Sequence, residues 1–195
     1  MSAPPELLAT LAASGLQVQG ACTTLRAIGA TLQQRAALLE DFSLDELDVL
    51  GAAMWKISAA PGQVLIAEGE LGDWLLLILH GTVDVTKHIA QQGEAAPRAS
   101  TPRSAENASS RLAVVKAGAT LGEMSLLDGE LRYATCTAIE AVEAAVLTRA
   151  AIASLIREHP GIGAKLLVKL TQLLAQRLRN TSNQLVKAVS ASKAA

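Results

Sequence analysis

Apolar and polar positions follow two different periods along this chain. After Ser43, residues Leu44, Leu47, Leu50 and Met54 recur at threes and fours, with Val49 widening the stripe, which is the period of a helix that buries one face. Ser43 with Glu46 three residues on can satisfy the free N–H groups of a helix start, and the helix should end before Pro61-Gly62. Beyond that point the period shortens. Apolar segments at Val64 to Ile66, Trp74 to Leu79, Val83 to Lys87, Leu112 to Val115, Ala134 to Ile139 and Ala141 to Leu147 are punctuated by Gly62, Gly69, Gly72, Gly81 and Gly118. Short strands at such spacing predict a mainly β domain of the α+β class, an antiparallel, jelly-roll-like β-roll.

The helical period returns at the C-terminal end. Ala150 to Glu158 reads as a short helix stopped around His159-Pro160-Gly161, and a long one follows from about Ile162 to Val189. On it Leu167, Leu174, Leu178, Thr181, Leu185 and Ala188 form one stripe, widened by Leu170 and Leu173. That stripe is longer than one small roll can cover, so pairing with the same helix of a second subunit is expected. The first forty residues are alanine-rich and weakly patterned, with a helix expected from about Leu32 to Leu39. Between Lys87 and Arg111 the chain is rich in Gln, Glu, Ala, Pro and Ser, too polar to bury a core, and reads as a mobile insertion in a hairpin. The run from Arg98 to Ser104 within it has the look of a phosphosite, but composition alone accounts for it as a solvated loop. The expected organisation is an N-terminal helical extension over 1–40, a roll over 41–160 with a flexible insertion at 87–111, and a long C-terminal helix over 161–195.

Composition narrows the partners. The chain has 195 residues, half of them hydrophobic, and a formal net charge of -1, which argues against non-specific attraction to nucleic acid or to an anionic membrane. The uncharged stretch from Leu7 to Leu25 is diluted by Ser14, Gln17, Gln19 and threonines and has no basic residue before it, so neither a signal peptide nor a membrane span is expected. Cys22 and Cys136 lack CxxC spacing and point to reduced thiols in the cytoplasm.

The chemistry concentrates in Leu121-Gly122-Glu123-Met124-Ser125-Leu126-Leu127-Asp128-Gly129-Glu130-Leu131-Arg132-Tyr133-Ala134-Thr135. This segment resembles the phosphate-binding cassette of the cyclic-nucleotide-binding superfamily, whose pattern is roughly Gly-Glu-x-small-Leu-Leu, a short spacer, then Arg-x-Ala-Thr. Pro61-Gly62, Glu68-Gly69, Gly72-Asp73 and Gly81-x-Val83-x-Val85 fall where that family has its turns and strands, so the resemblance runs from about Phe42 to Leu185. The residue types fit the ligand it implies. A carboxylate, Glu123, can accept from a ribose 2′-OH, and the planar fork of Arg132 matches a cyclic phosphate. Backbone N–H groups near Met124 and Ser125 can face the same anion, while Gly122 leaves room for close approach. Leu131 stands where the family often has proline, and Tyr133 where it has alanine, serine or threonine. The missing threonine points to cAMP, with cGMP as the alternative, and Tyr133 can narrow the pocket or stack on the base. The resemblance also implies a lid role for the long helix, with Thr181 and Ser182 capping the base and dimerisation along the stripe.

Other candidates are weaker. His80, His88 and His159 lack metal-ligand spacing, and Ser125 lies in no nucleophile elbow. Cys136 has the strand parity of Arg132 and reads as an inert buried thiol beside the pocket. The long helix carries Lys165, Lys169, Arg177, Arg179, Lys187 and Lys193 without an acid, which reads first as a solvated face and second as a docking surface for an acidic partner. Only Ser190 to Ala195 follow it, so no DNA-binding domain and no nucleic-acid partner are expected. The sequence thus predicts a cyclic-nucleotide receptor that signals to another protein, not an enzyme. A nucleotide-free structural or interaction module on the same fold is the alternative.

Overall fold

The computed structural model describes residues 5–23, 25–27, 35–88 and 109–194. A helix α1 (Pro5–Ala13), a strand β1 (Gln17–Ala21) and a helix α2 (Leu44–Ala52) precede the roll, which comprises β2 (Trp55–Ala59), β3 (Val64–Ile66), β4 (Trp74–His80), β5 (Thr82–His88), β6 (Ser109–Lys116), β7 (Thr120–Leu121), α3 (Glu123–Asp128), β8 (Thr135–Ala138) and β9 (Val142–Thr148). Helices α4 (Arg149–Glu158) and α5 (Pro160–Ala194) follow. Two antiparallel sheets build the roll, in the orders β2-β9-β4-β7, with β1 added at the β2 edge, and β3-β8-β5-β6.

The unbroken apolar run of β4 is explained by burial on both faces. Trp74, Leu76 and Ile78 point into the roll with Ile57, Val83, Leu121 and Val146, while Leu75, Leu77 and Leu79 join Leu47, Leu50, Met54, Leu155, Leu166 and Leu170 of the helices. Successive strand residues face opposite ways, so a central strand between two cores needs an apolar residue at every position. By contrast β2 alternates, with Trp55, Ile57 and Ala59 in the roll and Lys56 and Ser58 partly exposed. The helix expected to approach Pro61 therefore stops at Ala52, because a period of two takes over at Trp55. Its start is as expected: the Ser43 hydroxyl accepts from the Glu46 N–H, and the Glu46 carboxylate accepts from the Ser43 N–H.

The N-terminal extension departs further from expectation. It supplies β1 as an edge strand on β2, and Leu7, Leu11 and Leu16 pack into the roll core. Of the helix expected over Leu32 to Leu39, the first part lies outside the described residues; Leu38 and Leu39 are buried in a turn where Leu39 N–H donates to Ala36 O at 2.8 Å. The insertion is narrower at both ends than expected, since Lys87 and His88 belong to β5 and Ser109 to Arg111 belong to β6, paired across the sheet. Residues 89–108, with the run from Arg98 to Ser104, lie outside the described residues. Helix α5 spans 35 residues, roughly 52 Å at 1.5 Å per residue, and its residues 178–191 are exposed.

Candidate functional site

Strand β7 ends where Gly122, at φ +81°, turns the chain into the single cassette helix α3. No side chain caps α3, so its first N–H groups remain available. After α3 the chain runs back alongside the loop before β4: the Arg132 N–H donates to Glu70 O at 2.8 Å, and Arg132 O accepts from the Gly69 N–H at 2.9 Å. This pairing aims the Arg132 side chain inward. Arg132 is 4% exposed, and its guanidinium lies over the Trp74 ring at 4.3 Å and donates to Gly122 O at 2.8 Å and Trp74 O at 2.7 Å. Burial lowers its pKa from the usual arginine value, opposed by the negative charges of Asp73, Glu123 and Glu70. Two glycines make the seat possible. A Cβ at Gly72 or Gly122 would stand 2.4 or 2.5 Å from the guanidinium nitrogens.

Glu123, the first residue of α3, is 1% exposed. Its Oε1 pairs with Arg177, which reaches down from α5 and also donates to Thr120 O. Its Oε2 is buried without a hydrogen-bond partner among the described residues. Glu123 and Arg132 line one cavity of about 320 Å³. Its apolar wall includes Ile66, Val85, Val115 and Leu121, and Cys136 belongs to it as a neutral thiol whose pKa burial pushes up to about 12. Gly122, Met124, Ser125 and Tyr133 line it as well. The Tyr133 ring stands half exposed with the Lys87 ammonium 3.9 Å from its centroid, and Lys87 is itself held by Glu68 Oε1 at 3.0 Å and Tyr133 O at 2.8 Å.

Helix α5 forms a further side of the cavity. Thr181 lines it, but Ser182 does not; one residue further along a helix is turned by about 100°. The helix instead contributes Arg177, Asn180 and Gln184, which share a face with Thr181 at spacings of three and four. Sequence reasoning missed all three. The signal was present in that spacing around Thr181, whereas nothing local marked Arg177 as the partner of a carboxylate 54 residues away.

Nor is the basic character of α5 a bare solvated face. Lys165 binds the Glu46 carboxylate and Asp41 O, and the mostly buried Lys169 pairs with Asp41 and Glu40. With Arg177 on Glu123, these cations fasten α5 to the helical segment before the roll and to the cassette. Among the described residues no group of three or more His, Cys, Asp or Glu could hold a metal ion, and no helix is long and apolar enough to cross a membrane.

A buried cation, a buried carboxylate with one free oxygen and an apolar wall suit a small anion that carries a neighbouring hydroxyl and a flat apolar body. Comparison with known proteins points the same way. Residues 56–159 match the family described as cyclic nucleotide-binding domain. A solved cyclic nucleotide-binding domain from Methylobacillus flagellatus is 33% identical with a TM-score of 0.72, the match covering 88% of each chain. The catabolite activator protein of Thermus thermophilus is 27% identical with a TM-score of 0.63, over 77% of this chain and 62% of that one. A CRP-like cAMP-activated global transcriptional regulator from Mycobacterium tuberculosis is 28% identical over 151 residues, which is 77% of this chain but 59% of that regulator's length.

Proposed function

The chain belongs to the cyclic nucleotide-binding domain family, and on that premise we propose that it is a regulatory receptor for a 3′,5′-cyclic purine nucleotide, cAMP foremost and cGMP second, rather than an enzyme. The observation that carries the reading is the unpartnered Glu123 Oε2 in the same cavity as Arg132. Leaving a buried acceptor unpaired costs about 1–3 kcal/mol. A ribose 2′-OH donating to Oε2 recovers that cost while Oε1 keeps Arg177. Arg132 has two of its donors on backbone carbonyls, and of the five that a guanidinium carries the rest can take the cyclic phosphate. Gly122, Met124 and Ser125 supply backbone at the phosphate, and Tyr133 supplies a face for the base.

The readout assigned to this receptor is α5. It shares a cavity wall with the cassette, and its exposed residues Leu178 and Leu185, 69% and 64% exposed, continue the stripe from Leu174 through Thr181 to Ala188. Pairing of that stripe between two copies gives a homodimer whose helices respond to occupancy and pass the signal to a protein partner, without nucleic acid or membrane. Cys22 and Cys136, both buried and outside any disulfide, suit the reducing cytoplasm.

Isothermal titration with cAMP and cGMP tests the reading. Binding is expected, with Arg132→Ala weaker by on the order of a hundredfold, since removing one partner of a buried charge pair costs roughly 2–5 kcal/mol. Glu123→Ala should weaken cAMP and leave 2′-deoxy-cAMP nearly unchanged. Absence of heat with either nucleotide up to millimolar concentration sinks the proposal and favours the second reading, a nucleotide-free interaction module. That reading draws on Arg177 already holding Glu123 and on backbone carbonyls already holding Arg132.

A further inference from the structure

Tyr133 is the single tyrosine of the chain, and among the described residues that line the cavity it is the one aromatic. A half-exposed ring is ordinarily free to swing between rotamers on a fast timescale. This one is held. The Lys87 ammonium stands 3.9 Å from the ring centroid and donates to Tyr133 O at 2.8 Å, so one cation grips both the ring and the backbone of the same residue. Lys87 is fixed in turn. Glu68 Oε1 accepts from it at 3.0 Å, Glu68 Oε2 accepts from the His88 N–H at 2.9 Å, and the Glu68 N–H donates to Thr135 Oγ1 at 3.1 Å. The clasp is thus anchored on β5, on β8 and on the loop before β4. Neither Lys87 nor Glu68 is among the residues that line the cavity, so the ammonium holds the ring from outside and leaves its cavity side to a ligand.

We infer that Lys87 is a positioning residue for the base, which it serves by presetting Tyr133 as a stacking surface at the cavity mouth. The inference rests on the cyclic-nucleotide reading and deepens it with a residue outside the ligand's reach. Arg132, almost fully buried, marks the phosphate end of the cavity; the base, at the other end of the nucleotide, then lies towards the mouth where Tyr133 stands. A tyrosine free to rotate gives up rotamer freedom when a base stacks on it, whereas one already held loses little, and the gain appears as affinity. Stacking depends on the area of the base and not on its hydrogen-bond pattern, because every base has a π-face. A two-ring purine therefore gains more from the clasp than a one-ring pyrimidine. Lys87 could instead act as a bare charge attracting the phosphate. That role would need no ring and would be blind to the base, and Glu68 already offsets the charge.

Calorimetric titration of the full chain with cAMP and with the pyrimidine nucleotide cCMP separates the two roles. Tyr133→Leu should weaken cAMP by about five- to a hundredfold, the range for loss of a base–aromatic stack. Lys87→Met should weaken it by about three- to tenfold and cCMP by less, while Lys87→Arg, which keeps a cation that stacks on aromatic rings, should stay within about twofold of the wild type. In the Tyr133→Leu background Lys87→Met should have no further effect, and this failure of additivity is the signature of action through the ring. Because the chain has one tyrosine, ring-labelled tyrosine gives NMR signals from Tyr133 alone. Saturating cAMP should shift them upfield in the wild type and by less in Lys87→Met. Equal weakening by Lys87→Met with and without the Tyr133 ring would make Lys87 a charge on the phosphate and overturn the inference, as would unchanged affinity and unchanged ring signals. If the wild type binds neither nucleotide, the receptor reading fails and the role of Lys87 with it.

Discussion

A glycine that touches no ligand should control the affinity. The missing side chain of Gly72 is the space in which the Arg132 guanidinium lies: a Cβ there would stand 2.4 Å from Nε and Nη2 and 2.5 Å from Cζ. Ordinary contact is near 3.5 Å, so Gly72→Ala forces the guanidinium to retreat by roughly 1 Å. Gly72 does not occupy the left-handed region, and alanine is acceptable to the backbone itself, which leaves the displacement as the main consequence. Hydrogen bonds now at 2.8 and 2.7 Å to Gly122 O and Trp74 O then exceed the useful limit of about 3.5 Å, and a phosphate bound to the same fork is misplaced by as much. Losing one or two charge-assisted bonds to the phosphate, at roughly 1.5–3 kcal/mol each, weakens binding by about tenfold to a thousandfold or more. The assay is calorimetric titration with cAMP on protein whose melting transition remains cooperative. Gly161→Ala is the matched control: nothing lies within 4 Å of its Cβ position, so affinity should be unchanged. A Gly72→Ala variant that is folded and binds within threefold of the wild type refutes the argument, because the guanidinium would then have room that the structure denies it.

Three further outcomes follow from other parts of the molecule. Leu178→Asp places a charge in the centre of the exposed α5 stripe, and light scattering at tens of micromolar should show dimers for the wild type and monomers for the variant; a monomeric wild type contradicts the pairing. Glu46→Gln should cost about 1 kcal/mol at neutral pH. The Glu46 pKa is lowered from 4.5 by Lys165 first and by the Ser43 N–H, so its stabilisation is complete above the unfolded value and lost as pH falls through the folded one. The gap between variant and wild type in urea unfolding should therefore be constant from pH 6 to 8 and narrow progressively as pH falls below 4.5; a gap that does not narrow on acidification refutes the assignment. Cys136, with its pKa pushed up to about 12 by burial, should resist iodoacetamide at pH 8 in native protein and react in denaturant, as followed by mass spectrometry; prompt native labelling would contradict its burial.

What was legible in the sequence was whatever a local pattern carries. The cassette from Gly122 to Thr135 announces itself because a tight turn, a carboxylate and an arginine must follow in fixed order, and β4 announces itself as six apolar residues between glycines. Strand β2 was illegible because Trp55 to Ala59 follows an amphipathic helix without a proline or glycine between them, and only its pairing with β9 fixes the change of period. Strand β1 escaped for a related reason: Gln17 to Ala21 is half polar and holds Gly20, and it is a strand because the edge of β2 is open to it. Gly72 could be read as a turn residue, but its work as the seat of Arg132 is a contact between residues 60 positions apart in the chain. Arg177 is the same kind of case. Its charge looked like solvation of a helix until the fold placed a buried carboxylate beneath it.

That last contact decides how ligand and helix can be coupled. Among the described residues α5 is fastened by ion pairs at three places, by Lys165 on Glu46, Lys169 on Asp41 and Arg177 on Glu123. The first two lie on the helical side of the protein, away from the cavity, and are indifferent to a nucleotide. Only the third is shared with it, since Glu123 is both the anchor of Arg177 and the proposed acceptor for the ribose. A ligand shifts the placement of a helix only by its differential affinity for the two placements. The proximal part of α5, held by lysines that a nucleotide does not touch, should therefore stay in place, and the response should begin at Arg177 and run distally through Thr181, Gln184 and Leu185. In hydrogen exchange, cAMP should change protection from about residue 177 onward and leave residues 162–172 as they were. Equal changes along the whole helix would mean that α5 moves as one rod and that the two lysine clasps open with it.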